Sequence, residues 1–361
     1  MNSAILFVGP YSPRNTGQSV VFSVAFKSYI GRKHLVNTTQ YNSKILNTLY
    51  TILISTYIIH RKNISVVYYT CSRSNLGSLK DLILISISYF YNLKIVNHLH
   101  GSDFNSFISN SPCLLRKIIV FSYNRVQFSI VLSSGMLNQF QLFKKMELFI
   151  IPNFFLKSLE KYLPLKSNNQ IRILFLSNIM KSKGIEEFLD ALTIIFRKDN
   201  YINIKVDICG AFIGDKYLSK DGIRQIFFNK YNMLNKKYAN KVQFHGYTTG
   251  DKKYKILSKS DIFVLPSYSE GFPISILEAM RMGNVIITSN INYLQEIVTP
   301  KMGFTCDIDP IDIGKSIEKY LYDIRILRKT QKYNVQYAKL HYGEQQFSKR
   351  INTVLNNIRE S

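Results

Sequence analysis

The chain has 361 residues, of which 46% are hydrophobic and 13% aromatic. That is enough for two ordinary domains and too apolar for a disordered chain. The net charge is +24, and residues 1–155 set fifteen Lys and Arg against only three acids, Asp81, Asp103 and Glu147. Such an excess suits an anionic membrane surface, while a coding bias toward Lys, Asn, Ile and Tyr accounts for it with no partner at all; nucleic acid is disfavoured, since no basic-aromatic stripe or known module accompanies the charge.

From the N-terminus, Ala4–Gly9 reads as a buried strand and the segment from Gln18 to Ile30 as a helix. The intervening loop, Gly9 to Gln18, is flexible enough to bring backbone N–H groups toward a ligand. Further strands are expected at Ile64–Tyr69, Lys94–Leu99 and Gln127–Leu132, with helical connectors between them. This alternation predicts right-handed βαβ units and a parallel sheet. The longest apolar runs, Leu49 to Ile59 and Leu82 to Leu93, are interrupted by Ser, Thr and Asn and fall well short of the ~20 residues a membrane span needs. One strand ends in His98-Leu99-His100-Gly101-Ser102-Asp103. The two histidines lack a third ligand nearby, so no metal site is expected.

The polar stretch from Pro164 to Gln170 is the expected linker, and the strand-helix pattern restarts at Ile171–Leu176. It continues through Ile204–Ile208, Val242–His245, Asp261–Leu265 and Val285–Thr288. The tail from about Ile311 to Ile358 is helical, its last segment after Gly343 returning to the first domain. The expected domains are therefore 1–160, completed by 343–361, and 161–342. Two doubly wound α/β domains facing across a cleft would place a ligand at the carboxyl ends of their strands. Cys71, Cys113, Cys209 and Cys306 form no C-x-x-C pair. With no leader at the N-terminus they are expected to be reduced core thiols of a cytoplasmic protein.

The densest chemistry lies in Ser269-Glu270-Gly271-Phe272-Pro273-Ile274-Ser275-Ile276-Leu277-Glu278. Pro273 suits a helix start, which puts Glu270 on a strand-to-helix loop and Glu278 about one turn into the helix. The free N–H groups and positive dipole end of such a helix favour a phosphate. Carboxylates beside it are poor phosphate ligands but good acceptors for vicinal hydroxyls, one on a sugar and the other on a ribose. The combination describes a nucleotide-sugar pocket.

These residues, with Gly283 and the strand that follows, resemble the E-x7-E signature of retaining glycosyltransferases of family 4, glycosyltransferase group 1. The resemblance runs from about Leu6 to Glu296. It implies the two-Rossmann glycosyltransferase-B fold, and transfer of a sugar from a nucleoside diphosphate donor to an acceptor hydroxyl without a metal cofactor. It also implies roles: Glu270 positions the sugar, Glu278 the ribose, and His100 the reacting carbon, with Asp103 orienting His100 or an acceptor hydroxyl. Gly271, Phe272, Pro273, Ile274 and Ser275 surround the donor. In Asn178-Ile179-Met180-Lys181-Ser182-Lys183-Gly184, Lys183 matches one of two cations that clasp the donor diphosphate in that family. The other position, usually Arg, is Asn178 here, so Lys183, the helix dipole and Lys181 would carry the leaving-group charge. Gly17 precedes Gln18 where the family usually has a second glycine. Tyr247, in Phe244-His245-Gly246-Tyr247-Thr248, is open between stacking on the base and capping its strand.

The expectation is an enzyme peripheral to the inner face of the cytoplasmic membrane. Its acceptor would be a glycan or polyprenyl-diphosphate-linked molecule of surface polysaccharide assembly, of the O-antigen or capsule type. An epimerase or hydrolase acting on the same donor is the rival within the fold, and a nucleic-acid binder is the rival outside it.

Overall fold

A computed structural model describes residues 3–11, 16–167, 169–198, 203–238 and 241–361. The chain divides into two compact units, Met1–Phe154 with Glu344–Ser361, and Phe155–Gly343.

In the first unit the elements run β1 (Ala4–Gly9), α1 (Gly17–Ser28), β2 (Lys33–Asn37), α2 (Lys44–Arg61), β3 (Ile64–Thr70), α3 (Asn75–Phe90) and β4 (Lys94–His98). They continue with α4 (Phe104–Asn110), α5 (Cys113–Tyr123), β5 (Phe128–Val131) and β6 (Glu147–Ile150). The six strands form one parallel sheet in the order β2-β1-β3-β4-β5-β6. Ile5, Phe7, Val66, Val96 and Ile130 are fully buried along its centre, as strands covered on both faces require. Strands β2 and β6, absent from the sequence expectation, are the two edges. They are only partly covered, so Lys33, His34 and Glu147 break the apolar run that marks a central strand.

The second unit holds β7 (Ile171–Leu176), α6 (Ile185–Phe196), β8 (Ile204–Cys209), α7 (Lys220–Lys237), β9 (Val242–Phe244), α8 (Gly250–Lys259) and β10 (Ile262–Leu265). After these come α9 (Ile274–Arg281), β11 (Val285–Ser289), α10 (Asn292–Ile297), β12 (Gly303–Cys306), α11 (Pro310–Tyr322) and α12 (Ile324–His341). The sheet is again parallel, ordered β12-β11-β10-β7-β8-β9. Strand β12 escapes a propensity reading because it opens on a glycine. A Cβ at Gly303 would lie 1.7 Å from the Ile286 carbonyl oxygen, so only glycine lets β12 close on β11.

The last helix, α13 (Glu344–Glu360), belongs to the first unit. Its buried positions, Phe347, Ile351, Leu355 and Ile358, recur at helical spacing, and Asn352 both donates to the Ser28 carbonyl (2.9 Å) and accepts from the Ile30 N–H (2.8 Å). The chain crosses between the units at Phe154/Phe155 and Gly343/Glu344. The stretch expected as linker lies instead on the second unit, where Leu165 donates to the Ser258 carbonyl at 2.8 Å and Lys166 caps the Ser260 carbonyl. The true crossing is apolar: Phe154 packs on Phe347 of its own unit, while Phe155 donates to the Tyr342 carbonyl of the other. A search for polar linkers passes over such residues. Cys71, Cys209 and Cys306 are buried, but Cys113 is exposed at the start of α5, a correction to its expected core position.

Candidate active site

In the second sheet the chain leaves β7 toward β8 and β9, then returns through α8 to β10 on the other side of β7. Strand order therefore reverses between β7 and β10, and ligands of open parallel sheets bind outside the carboxyl ends of the strands at such a point. The loops there are Ser177–Gly184 and Pro266–Pro273, which contain Lys183 and Glu270.

These two residues meet. Lys183 Nζ lies 2.7 Å from Glu270 Oε1 and 3.4 Å from the Ser269 carbonyl oxygen. Ser267 Oγ donates to the same carboxylate oxygen at 2.9 Å. The loops are held together by backbone: Tyr268 N–H donates to the Ser182 carbonyl at 2.9 Å. Gly184 sits at φ +70°, and a Cβ there would approach the Pro266 carbonyl oxygen to 2.0 Å. Only glycine permits both the left-handed backbone and the contact. Gly184→Ala is therefore expected to lower the melting temperature and weaken nucleotide binding together, with the left-handed conformation alone costing about 1–2 kcal/mol. A Gly184→Ala protein with unchanged melting and binding would show the loops to be independent.

Sequence reasoning missed the supports of this turn. Asp215 accepts from the Ser182 N–H at 2.7 Å and, through its other oxygen, from the Tyr217 and Leu218 N–H groups at 2.9 and 3.0 Å. Burial raises the Asp215 pKa, but these donors outweigh it and leave the pKa below the ordinary value. The Gly214-Asp215 pair ahead of a helix is the sequence signal for such a turn. Lys181 bonds Glu187 at 2.5 Å and lies 3.5 Å from Glu186, and Tyr268 Oη donates to Glu187 at 2.8 Å. Burial alone would lower the Lys181 pKa, yet the two carboxylates raise it. Lys181 is thus engaged within the turn, while Asn178 is exposed.

Pro273 is the cap residue of α9, one position earlier than the sequence suggested, and provides neither an N–H nor a side-chain oxygen for the first turn. The first-turn N–H groups, including those of Ile274 and Ser275, therefore stand at an anion-receptive helix end. The Phe272 ring is buried, edge-on to Tyr342, so it anchors the Gly271–Pro273 loop from behind. Glu278 is 3% exposed and pairs with Lys253 of α8 at 2.6 Å. The two glutamates of the motif thus have different cationic partners.

Tyr247 is 61% exposed on the loop after β9. The loop is positioned by His245, whose Nε2 lies 2.7 Å from Asp207, itself 3.1 Å from Arg172. A groove of about 510 Å³ beneath α8 is lined by these three residues with Lys252, Lys255 and Lys259. Lys183 and Glu270 do not line it.

In the first unit, His98 Nδ1 lies 2.6 Å from Tyr68 Oη, and the His98 and His100 rings are 4.1 Å apart. Both ring nitrogens of His100 are buried without a hydrogen-bond partner. Burial, with a smaller contribution from the Arg73 guanidinium, holds its pKa down to about 3, and burial likewise depresses that of His98. Asp103, expected to orient His100 or an acceptor hydroxyl, pairs with Arg73. Arg73 also covers Gly101. Gly17 is the first residue of α1. Of the loop before it, residues 12–15 lie outside the described residues. Among the described residues no three His, Cys, Asp or Glu side chains group as metal ligands.

The folded histidines keep their protons off while unfolded ones titrate near 6.5, so the unfolded chain binds protons first as pH falls. The stability that neutral His100 contributes is complete above pH 6.5 and declines between 6.5 and about 3. His100→Gln is expected to flatten the fall in stability between pH 7 and pH 5 by up to about 1.4 kcal/mol per pH unit, read by denaturant unfolding. An unchanged slope would place the proton uptake elsewhere.

The second unit is thus a doubly wound α/β unit with an ion-paired Lys–Glu site and a helix N-terminus at its topological switch point. Residues 162–340 match the family model of the glycosyl transferases group 1. An O-antigen biosynthesis glycosyltransferase of Escherichia coli is 31% identical over 134 residues, 37% of this chain and 32% of that protein. The N,N'-diacetylbacillosaminyl-diphospho-undecaprenol alpha-1,3-N-acetylgalactosaminyltransferase of Campylobacter jejuni is 28% identical over 118 residues, 33% of this chain and 26% of that protein. The matched stretch thus spans a third or less of either relative. The crystal structure of HepE from Anabaena in complex with UDP superposes with TM-score 0.76 over 98% of this chain and 99% of that one, at 14% identity. That likeness establishes the glycosyltransferase-B type of fold, two Rossmann-like domains.

Proposed function

We propose that this chain is a retaining glycosyltransferase, taking a sugar from a nucleoside diphosphate donor to a hydroxyl of a glycan or polyprenyl-diphosphate-linked acceptor. The observation that carries the reading is the Lys183–Glu270 pair at the β7/β10 switch point, beside the N-terminus of α9. An ammonium and free helix N–H groups fit a diphosphate, and a carboxylate at the same place fits sugar hydroxyls. Donor binding exchanges the internal pair for two external ones: Lys183 turns to the leaving diphosphate and Glu270 to the sugar, with Ser267 keeping Glu270 oriented. Departure of the diphosphate then leaves an oxocarbenium-like sugar, attacked by the acceptor hydroxyl from the face the leaving group vacates, the hydroxyl proton passing to the departing diphosphate oxygen. His100 of the first unit, which the family resemblance assigns to the reacting carbon, is neutral with both ring nitrogens unpartnered. Lys183 and the helix end hold the leaving charge, so no metal is required and EDTA should leave turnover unchanged.

Glu278 is assigned to the ribose. Its burial against Lys253 means that Glu278→Ala would strand a cation, so Glu278→Gln is the cleaner variant. It should weaken a nucleoside diphosphate by about tenfold to a hundredfold, the worth of one hydrogen bond to a charged group, while leaving inorganic pyrophosphate affinity unchanged. Equal losses for both ligands would point to a disturbed helix end.

The acceptor class is supported by the relatives' names, one an O-antigen enzyme and one acting on an undecaprenol-linked sugar, and implies work at the cytoplasmic face of a membrane in surface polysaccharide assembly. A thermal-shift screen of UDP-, GDP- and other activated sugars, followed by turnover with and without acceptor, tests the reading. Release of free sugar at the same rate without acceptor would make the chain a hydrolase, and conversion of the donor sugar to an isomer would make it an epimerase.

A further inference from the structure

Helix α2 is built inside out. Its buried residues are Thr51, Ser55 and Ile59, while Leu46, Leu49, Leu53 and Tyr57 are 52 to 67% exposed. These four recur at spacings of three and four, so they form one stripe along the outside of the helix. A helix that only covers a sheet does the reverse, with leucines inward. Neighbouring helices extend the pattern: Leu114, Ile118 and Phe121 are exposed along α5, and Phe90 at the end of α3 is 79% exposed. The crossovers β2–α2–β3, β3–α3–β4 and β4–α5–β5 all advance in one direction through the sheet, which puts α2, α3 and α5 on the same face. Helix α3 packs against both α2 and α5, so these residues lie on neighbouring helices, and exposed apolar surface of this kind marks an interaction site.

The charges around it have one sign. Lys44, Arg61 and Lys62 bracket α2, and Arg116, Lys117 and Arg125 lie on or beside α5. The only acid on α2, α3 and α5, Asp81, is fully buried and lies 2.6 Å from Lys80. A second copy of the chain docking here by two-fold symmetry would bring the same cations to the same place, so self-association is opposed. No helix among the described residues is long and apolar enough to cross a membrane. Lying in the plane of a bilayer, with leucines in the acyl boundary and cations at the headgroups, is the mode that fits α2.

We infer that the outer face of α2, α3 and α5 docks the enzyme on an anionic bilayer, with the Leu46–Tyr57 stripe of α2 inserted into it. This rests on the proposed lipid-linked acceptor only for its purpose; docking itself is independent of catalysis. It also separates a working charge excess from a coding bias, because bias alone does not turn leucines outward.

The test is vesicle flotation of the whole chain and of Leu49→Glu/Leu53→Glu, whose changed positions are exposed. Wild type should bind phosphatidylglycerol-rich vesicles and hardly bind pure phosphatidylcholine. Binding should weaken as salt shortens the Debye length from about 10 Å at 0.1 M to about 3 Å at 1 M. The double variant should lose at least about tenfold in partitioning, as removal of two inserted leucines requires, with an unchanged melting temperature. Lys117→Glu, a charge change without loss of apolar area, should lose binding to the anionic vesicles only. Turnover on a water-soluble acceptor analogue should match wild type in all variants, so failure to dock and failure to transfer are read separately. Equal flotation of wild type and variants, or a wild-type dimer that Leu53→Glu converts to monomer, would overturn the inference.

Discussion

Lys183→Ala should lower transfer by at least about 10²–10³-fold, the loss expected for one preorganised donor to a developing oxyanion. The reason is a shortage of alternatives in the loop after β7. Asn178 is uncharged and exposed, and Lys181 is held between Glu186 and Glu187 within the turn, whereas the one carboxylate on Lys183 is Glu270, the group proposed to turn to the sugar, so Lys183 is the cation assigned to the diphosphate. The turn that holds it is fixed by Tyr268 and Asp215, so the ammonium arrives oriented rather than searching. Removing it strands Glu270, but Ser267 still donates to that carboxylate, and the melting temperature should fall much less than activity. Asn178→Arg adds a cation at an exposed position and should partly restore the Lys183→Ala enzyme. Turnover numbers for the two single variants and the double variant decide it. A Lys183→Ala enzyme near wild-type turnover would sink the assignment.

Glu270→Ala separates sugar handling from diphosphate handling. Transfer should fall by a comparable ~10²-fold or more if, as proposed, Glu270 is the group that orients the sugar at the reacting carbon. Affinity for the nucleoside diphosphate should hold or rise, because Lys183 is released from its 2.7 Å partner and meets the ligand without first breaking an ion pair. Titration calorimetry with the diphosphate alone and with the sugar nucleotide reads the two effects apart. Loss of both together would mean that Glu270 acts by positioning Lys183.

The local structure of the candidate site was largely legible in the sequence. The Glu270–Glu278 motif, the Pro273 helix start and Lys183 before Gly184 are short-range features, each dictated by a turn or a cap that a few residues specify. The central strands were legible for a similar reason: burial on both faces demands continuous apolar runs, and β1, β3, β7 and β10 have them. Edge strands β2 and β6 have one open side and no such demand, and Gly303 disguised β12 because its need for glycine arises from β11.

By itself, then, the sequence determined the alternation of elements, the parallel α/β class and the local turns and helix start from which the candidate site is built, all properties of windows shorter than one βαβ unit. Only the tertiary structure decided which charges meet. Lys183 and Glu270 are 87 positions apart and became partners because strand order reverses at β7 and β10. Asp103 went to Arg73 across 30 positions, leaving His100 unpartnered. The outward leucines of α2 were likewise hidden in an apolar run that reads as core, since periodicity names a stripe but not the side on which the sheet lies. Long-range pairing and the choice of buried face depend on which surfaces the fold brings together, and no local window contains that information.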